Sequence, residues 1–264
     1  MKIDVLMENT AIHSQLTAEH GLSLLIETNR HKILFDAGQT GAFADNARYM
    51  GVDLQQVDLA VLSHGHYDHG GGLKRFLELN DHAPVYLSRD AFMPHFHGAQ
   101  KYIGLDRSLI GSDRLVYTAD ELKIDGELSL YSCNQKEKSV PADSAGLHMI
   151  AQGVLLPDDF RHEQYLLIHD QKRRILVSGC SHKGILNIAN WFRPDVLIGG
   201  FHFMHLDPDV PSDRTRLENA AQRLLQGTAK YYTCHCTGVR PYQFLKEIMG
   251  DRLEFLAAGQ SVCL

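Results

Sequence analysis

The chain has 264 residues, 44% of them hydrophobic and 22% charged, and a formal net charge of −6, a length that fits one large domain or two small ones and a balance that allows a full core; the expectation is a single domain over 1–264. No run reaches the roughly 18 apolar residues of a membrane helix, no basic stripe offers a nucleic-acid surface, and five cysteines without a framework spacing argue against a disulfide scaffold. Met1-Lys2-Ile3-Asp4-Val5-Leu6-Met7 opens directly into a strand pattern, without the apolar core and cleavage site of a secretion signal, so the expectation is a cytoplasmic protein acting on a small molecule, with neither nucleic acid nor membrane as partner and no oligomeric state specified.

In chain order, the pattern predicts strands over 2–7, 22–27 and 32–35, a helix over 41–50, a strand over 58–62, a helix over 71–79 where Leu73, Phe76 and Leu77 recur at helical spacing, and a strand over 84–88. The segment 89–163 reads as irregular and loop-rich, with polar stretches at 111–114 and 135–138; a segment of this kind is either a lid over a substrate or a surface insertion. The last third alternates: strands over 164–170 and 174–179, a helix over 184–193, a strand over 195–199, a helix over 212–226, a strand over 230–234 and a helix over 240–249. Alternation of this kind implies sheets covered by helices.

The most informative stretch is Ser63-His64-Gly65-His66-Tyr67-Asp68-His69-Gly70-Gly71-Gly72, which follows the apolar run Leu59-Ala60-Val61-Leu62. Three imidazoles and a carboxylate fall within six residues of a loop with little side-chain bulk. Such N and O donors suit first-row divalent metals at roughly 2.0–2.2 Å. In an extended loop alternate side chains point the same way, so His64 and His66 can reach one ion. Asp68 and His69 sit where the chain turns, and can aim at a second ion roughly 3.5–4 Å away, the spacing of two-metal hydrolytic sites. Further ligands are expected at other strand ends: His182 after 174–179, and His235 after 230–234 and before Thr237-Gly238.

The His-x-His-x-Asp-His run resembles the signature of the metallo-β-lactamase superfamily. Glu19-His20-Gly21-Leu22-Ser23, Gly179-Cys180-Ser181-His182, Gly199-Gly200-Phe201-His202 and His235-Cys236-Thr237-Gly238 bring the likeness closer to the branch labelled 7,8-dihydropterin-6-ylmethyl-4-(β-D-ribofuranosyl)aminobenzene-5'-phosphate synthase, or metal-dependent hydrolase. The resemblance implies an α/β fold, a four-layer αββα sandwich with its metal site at one edge of two sheets. It implies the same split of His64 and His66 on one ion and Asp68 and His69 on the other, a last histidine at His235, and a supporting carboxylate at Asp36, whose alternative role is a plain turn residue. At the Cys180 position it allows a thiolate ligand; a small buried hydrophobe is the other role open to that cysteine.

The superfamily usually draws one ligand from a mid-chain histidine, and no Gly-His-Thr motif precedes the strand at 164–170. His182 is expected to take that place, with His95, His97, His148 and His162 as alternatives. His202 is expected to contact substrate or move a proton, and Asp68 joins it as a catalytic residue. Gly38-Gln39-Thr40-Gly41 opens a helix whose free amides could meet an anion.

The function this implies is a metal-dependent hydrolase or transferase, using one or two divalent ions, zinc first and manganese or iron next. The substrate is a small phosphorylated or carbonyl-containing molecule, and the branch label suggests a dihydropterin diphosphate condensing with an aryl amine. The competing readings are a metal- or ligand-binding regulator with little catalysis, and a redox enzyme with iron in the same cage.

Overall fold

Runs such as Leu24-Leu25-Ile26 and Ile33-Leu34-Phe35 are apolar at every position, so a sheet built from them must be covered on both faces. A computed structural model, which describes all of residues 1–264, builds two such sheets. The first runs in the spatial order Ser261–Cys263, Lys2–Met7, Ser23–Glu27, Lys32–Phe35, Leu59–Val61, Val85–Ser88, Leu115–Thr118. The second runs Leu253–Phe255, Lys230–Thr233, Val196–Ile198, Arg173–Val177, Tyr165–Asp170, Leu128–Tyr131, Glu121–Lys123.

The two-residue side-chain period sorts these strands into layers. Ile3, Val5, Leu24, Ile26, Ile33, Phe35, Leu59 and Val61 meet Leu166, Ile168, Ile175, Val177, Val196 and Ile198 in a core between the sheets. The intervening residues face outward. Leu25, Leu34 and Ala60 pack with Phe43, Ala47, Leu73 and Phe76 from the helices Ala42–Tyr49 and Leu73–Leu79. Leu167, Leu176 and Leu197 pack with Ile188, Leu217 and Leu245 from the helices Ile185–Phe192, Pro211–Leu225 and Val239–Met249. Three cores between four layers make the αββα sandwich that the resemblance implies.

Lys32–Phe35, Leu59–Val61, Val85–Ser88 and Leu115–Thr118 are mutually parallel in the first sheet, as are Arg173–Val177, Val196–Ile198, Lys230–Thr233 and Leu253–Phe255 in the second. Parallel strands deliver their carboxyl ends to one edge, where open α/β sheets bind ligands. Asp36, the 63–69 loop, the 178–182 turn, His202 and His235 all leave the sheets there. Asp36, Ser181, His202 and His235 do so with φ of 59°, 59°, 57° and 49°, a region that non-glycine residues enter at a cost and that concentrates at functional sites.

The segment 89–163 is more ordered than its sequence suggests. Leu115–Thr118, Glu121–Lys123 and Leu128–Tyr131 extend the two large sheets, and Val154–Pro157, Leu147–Ala151, His95–His97 and Lys101–Tyr102 form a small third sheet. Strands of two to five residues are too short to display a period, which is why this region and the terminal strands Leu253–Phe255 and Ser261–Cys263 do not stand out in the sequence. Of the polar stretches expected as loops, 135–138 lies outside helix and strand, and so does 111–114 except for Gly111, which ends the helical turn Arg107–Gly111.

Candidate metal centre

The 63–69 loop is fastened before it presents its ligands. Ser63 donates its N–H to Asp36 Oδ1 and its Oγ–H to Asp36 Oδ2, both at 2.7 Å. Gly65 lies so close to its neighbour that a Cβ there would stand 2.2 Å from the Ala91 carbonyl oxygen, so no other residue fits without moving backbone. A single helical turn, Tyr67–Gly70, then carries Asp68 and His69 inward.

Two groups of donors result. In one, His64, His66 and His182 converge, with His64 Nε2 and His182 Nε2 3.3 Å apart. In the other, His69 Nε2 lies 3.2 Å from His235 Nε2 and 3.1 Å from Cys180 Sγ, while Asp68 Oδ2 lies 3.3 Å from His235 Nε2 and 3.7 Å from His69 Nε2. Ligand atoms held at ~2.0–2.1 Å around a tetrahedral ion are about 3.3 Å from one another, so both groups already have the span of a metal site.

The far sides of the rings explain why the near nitrogens can act as ligands. His69 Nδ1 donates to Asp36 Oδ2 at 2.6 Å, His235 Nδ1 to Asn9 Oδ1 at 2.7 Å, and His64 Nδ1 to Ser63 Oγ at 2.8 Å. Each of these rings, when neutral, keeps its lone pair on Nε2, facing the site. His182 is held differently: Phe160 stacks on it at 4.4 Å, its backbone N–H donates to Glu163 Oε1 at 2.7 Å, and its Nδ1 has no partner.

Burial and the crowd of neighbouring imidazoles hold His64 and His182 well below the ordinary histidine range. Burial likewise lowers His66, against the pull of Asp158 and Asp68. These three are neutral, the state that ligates. His69 goes the other way: burial opposes its charge, but the Asp36 and Asp68 carboxylates outweigh it and raise its pKa. Asp68 is held well below the carboxylate range because His69, His20 and His235 outweigh its burial. That end of the site attracts positive charge.

A cleft of about 310 Å³ opens over both groups. Among its lining residues Asp68 is the single acid, while His20, His97, Lys101, His202 and His205 surround the entrance. The His202 ring lies 4.4 Å from His182, and burial together with His205 and other nearby imidazoles lowers its pKa to about 4. It is neutral at pH 7.

The sequence-predicted residues His64, His66, Asp68, His69, His182, His202 and His235 thus meet at one edge of the sandwich, with Cys180 among them and Asp36 directly behind. Of the mid-chain histidines, His97 reaches the cleft, His148 turns to the Gly146 carbonyl oxygen, and His95 and His162 gather with Asp158 behind His66. The helix-opening amides proposed for an anion are already taken: Gln39 and Thr40 donate to Glu19 Oε1 at 3.1 and 2.9 Å. Sequence reasoning passed over His20, whose Nε2 lies 3.3 Å from Asp68 Oδ2, and Glu8 and Asn9, which hold His235. The motif around Glu19-His20-Gly21 was the available signal for the first; nothing local marks the other two.

Comparison with known proteins adds an independent line. The family model described as the Metallo-beta-lactamase superfamily matches residues 16–223. Two relatives come from Methanocaldococcus jannaschii. One, named uncharacterized protein MJ0448, is 33% identical over 213 residues, covering 76% of this chain and 79% of its own. The other, named 7,8-dihydropterin-6-methyl-4-(beta-D-ribofuranosyl)-aminobenzene-5'-phosphate synthase, is 28% identical over 291 residues, covering 99% of this chain and 96% of its own. Among solved structures, Tm1679, described as a metal-dependent hydrolase of the beta-lactamase superfamily, superposes with a TM-score of 0.80 at 26% identity, covering 100% of this chain and 99% of that one.

Proposed function

This chain belongs to the metallo-β-lactamase superfamily and is a metal-dependent enzyme of it, and on that premise we propose that it holds up to two divalent ions and uses them to hydrolyse, or transfer a group from, a small anionic substrate. His64, His66 and His182 hold one ion; Asp68, His69 and His235 hold the other, with the Cys180 sulfur at its side. The observation that carries this reading is the pair of facing Nε2 atoms, 3.3 Å apart in His64 and His182 and 3.2 Å apart in His69 and His235, in rings whose Nδ1 protons are, for three of the four, already committed elsewhere. Imidazole and carboxylate donors with the Cys180 and Cys236 thiols nearby favour zinc first, and accept manganese or iron.

Ions in such a cage supply Lewis acidity toward a phosphoryl or carbonyl oxygen and lower the pKa of water. The chain's own residues do the rest. Lys101 draws an anion into the cleft, and His97 and His205 beside it supply hydrogen-bonding nitrogens that orient it. Ile103, Leu147 and Met204 give the cleft an apolar wall, suited to the ring of an aromatic or heterocyclic substrate. Neutral His202 donates an N–H hydrogen bond to the leaving group or the developing oxyanion.

Hydrolysis and group transfer each find support among the likenesses: Tm1679 is described as a hydrolase, and the relative aligned over 99% of the chain is named a synthase. A dihydropterin diphosphate with an aryl amine as acceptor is the transfer substrate we propose. The test has two arms. Chelator-treated protein, resupplied with Zn²⁺ or Mn²⁺, is offered phosphodiesters, esters, lactones, and pterin diphosphate with and without an arylamine; turnover should appear only with metal. By elemental analysis, His64→Ala and Asp68→Ala should each lose one ion, and the double variant both. Full metal content in the double variant overturns the assignment.

A further inference from the structure

Behind His66, on the side away from the cleft, lies a second group of polar residues with no role so far. His95, Asp158 and His162 are fully or almost fully buried, and with His66 they bring one polar atom each to within 4.8 Å of the others. Three imidazoles and a carboxylate would suit a further ion, but the protons decide otherwise. His162 Nδ1 accepts the Gly65 N–H at 2.8 Å, so its own proton is on Nε2, which donates to Asp158 Oδ2 at 3.3 Å. A nitrogen that carries a proton cannot ligate. His95 Nδ1 donates to the same Oδ2 at 2.8 Å, and Asp158 Oδ1 accepts the Phe160 N–H at 2.8 Å. Asp158 is an acceptor for surrounding N–H groups and not one corner of a cage.

We infer that Asp158 is a positioning residue for the metal centre: its carboxylate fixes the proton of His66 on Nε2, which leaves the Nδ1 lone pair for the ion, and through His162 it holds the backbone between His64 and His66. The inference rests on the proposed ligand role of His66. Asp158 Oδ2 stands 3.9 Å from His66 Nε2, with the two side chains 0% and 5% exposed, and His66 Nε2 has no other partner. That distance is longer than a hydrogen bond, so the coupling is electrostatic. A proton on Nε2 turns an N–H toward a buried anion, whereas a proton on Nδ1 would turn a lone pair toward it. The second effect runs through the chain Gly65 N–H to His162 to Asp158: because the carboxylate keeps the His162 proton on Nε2, Nδ1 stays an acceptor for Gly65. One carboxylate thereby sets two tautomers and the backbone between two ligands.

Two measurements test this. In ¹⁵N-labelled metal-free protein, long-range ¹H–¹⁵N spectra, assigned with a His66→Gln variant, should show His66 protonated on Nε2; a proton on Nδ1 overturns the inference. Asp158→Asn keeps the shape and removes the charge. Titrated with Zn²⁺ against a chromophoric chelator, it should hold one of its two ions about 10–100-fold more weakly, as for other carboxylates behind metal-bound histidines, and its His66 should lose the strong preference for Nε2–H. Unchanged affinity for both ions overturns the inference, and the tautomer of the unsubstituted protein decides it even where the variant unfolds. Full Zn²⁺ content in His66→Ala would instead overturn the ligand reading, a result separable from the tautomer because that is read without metal.

Discussion

At the Asp68, His69 and His235 end of the centre, both imidazoles donate from their far nitrogens into hydrogen bonds of 2.6 and 2.7 Å, one to a carboxylate and one to an amide oxygen. At the His64, His66 and His182 end the supports are weaker: a serine hydroxyl for His64, a carboxylate at 3.9 Å for His66, and nothing for His182 Nδ1. The first end is charged and the second is a cluster of neutral rings. A chain can therefore prepare for a cation in two ways. It can supply negative charge that already raises the pKa of a neighbouring histidine, as around His69, or it can bury imidazoles until they stay neutral, as at His64 and His182.

The largest expected effect separates His182 from His202, two strand-end histidines whose rings lie 4.4 Å apart. Both line the cleft, but Phe160 stacks on His182 and fixes it among the donors. His202→Ala should keep both ions and its thermal unfolding, and lose about 10²–10³-fold in turnover, the range for a lost hydrogen-bond donor to a developing oxyanion. His182→Ala should lose an ion. Metal loss in His202→Ala would move it to the ligand set, and unchanged turnover would remove it from the chemistry.

Next in size is the joint between the two ends. Asp36 binds His69 Nδ1 directly and reaches His64 through Ser63 Oγ. Asp36→Asn is tolerated by the backbone, since asparagine accepts a φ near 59°, but it removes the charge behind both ends. Zn²⁺ affinity should fall about 10–100-fold at each ion. Ser63→Ala cuts only the relay to His64, so it should weaken one ion and spare the other. Equal losses in the two variants would mean that the ends are not independently supported.

How much of this the sequence discloses follows from how local each cause is. The apolar runs at 2–7, 23–27, 32–35 and 165–170 declare strands because they are buried on both faces. The His-x-His-x-Asp-His loop reads as a candidate metal site because four donors share six residues, and His182 and His235 stand out as histidines at strand ends. What holds those donors is not local. The amide bonded by His162 is 97 residues away in the chain, and Asn9 and His235 are 226 apart. Only the closed sandwich makes them neighbours. The short strands between 95 and 157 escape notice for a related reason: their pairing partners, not their own two to five residues, define them.

The smallest expected effect concerns acid, and His162 and His69 should answer with opposite signs. Burial, reinforced by His95, lowers His162 from the ordinary 6.5 to about 3 despite Asp158 beside it. Between those values the unfolded chain binds more protons than the folded one, so this contribution is complete above pH 6.5 and lost as pH falls toward 3. At pH 5 the 1.5 units below 6.5 correspond to about 2 kcal/mol. His69, with its pKa raised, contributes stability that is complete below 6.5 and is lost as pH rises through its folded value. Because His64, His66, His182, His202 and His235 are all lowered as His162 is, the neutral-ring behaviour should dominate. The urea midpoint of the metal-free protein should fall between pH 7 and pH 5. His162→Phe should flatten that slope, and Asp36→Asn should steepen it by removing the charge that opposes it at His69. A midpoint that rises on acidification would mean that the rings near the centre take up protons in the folded state, and that burial does not keep them ready for metal.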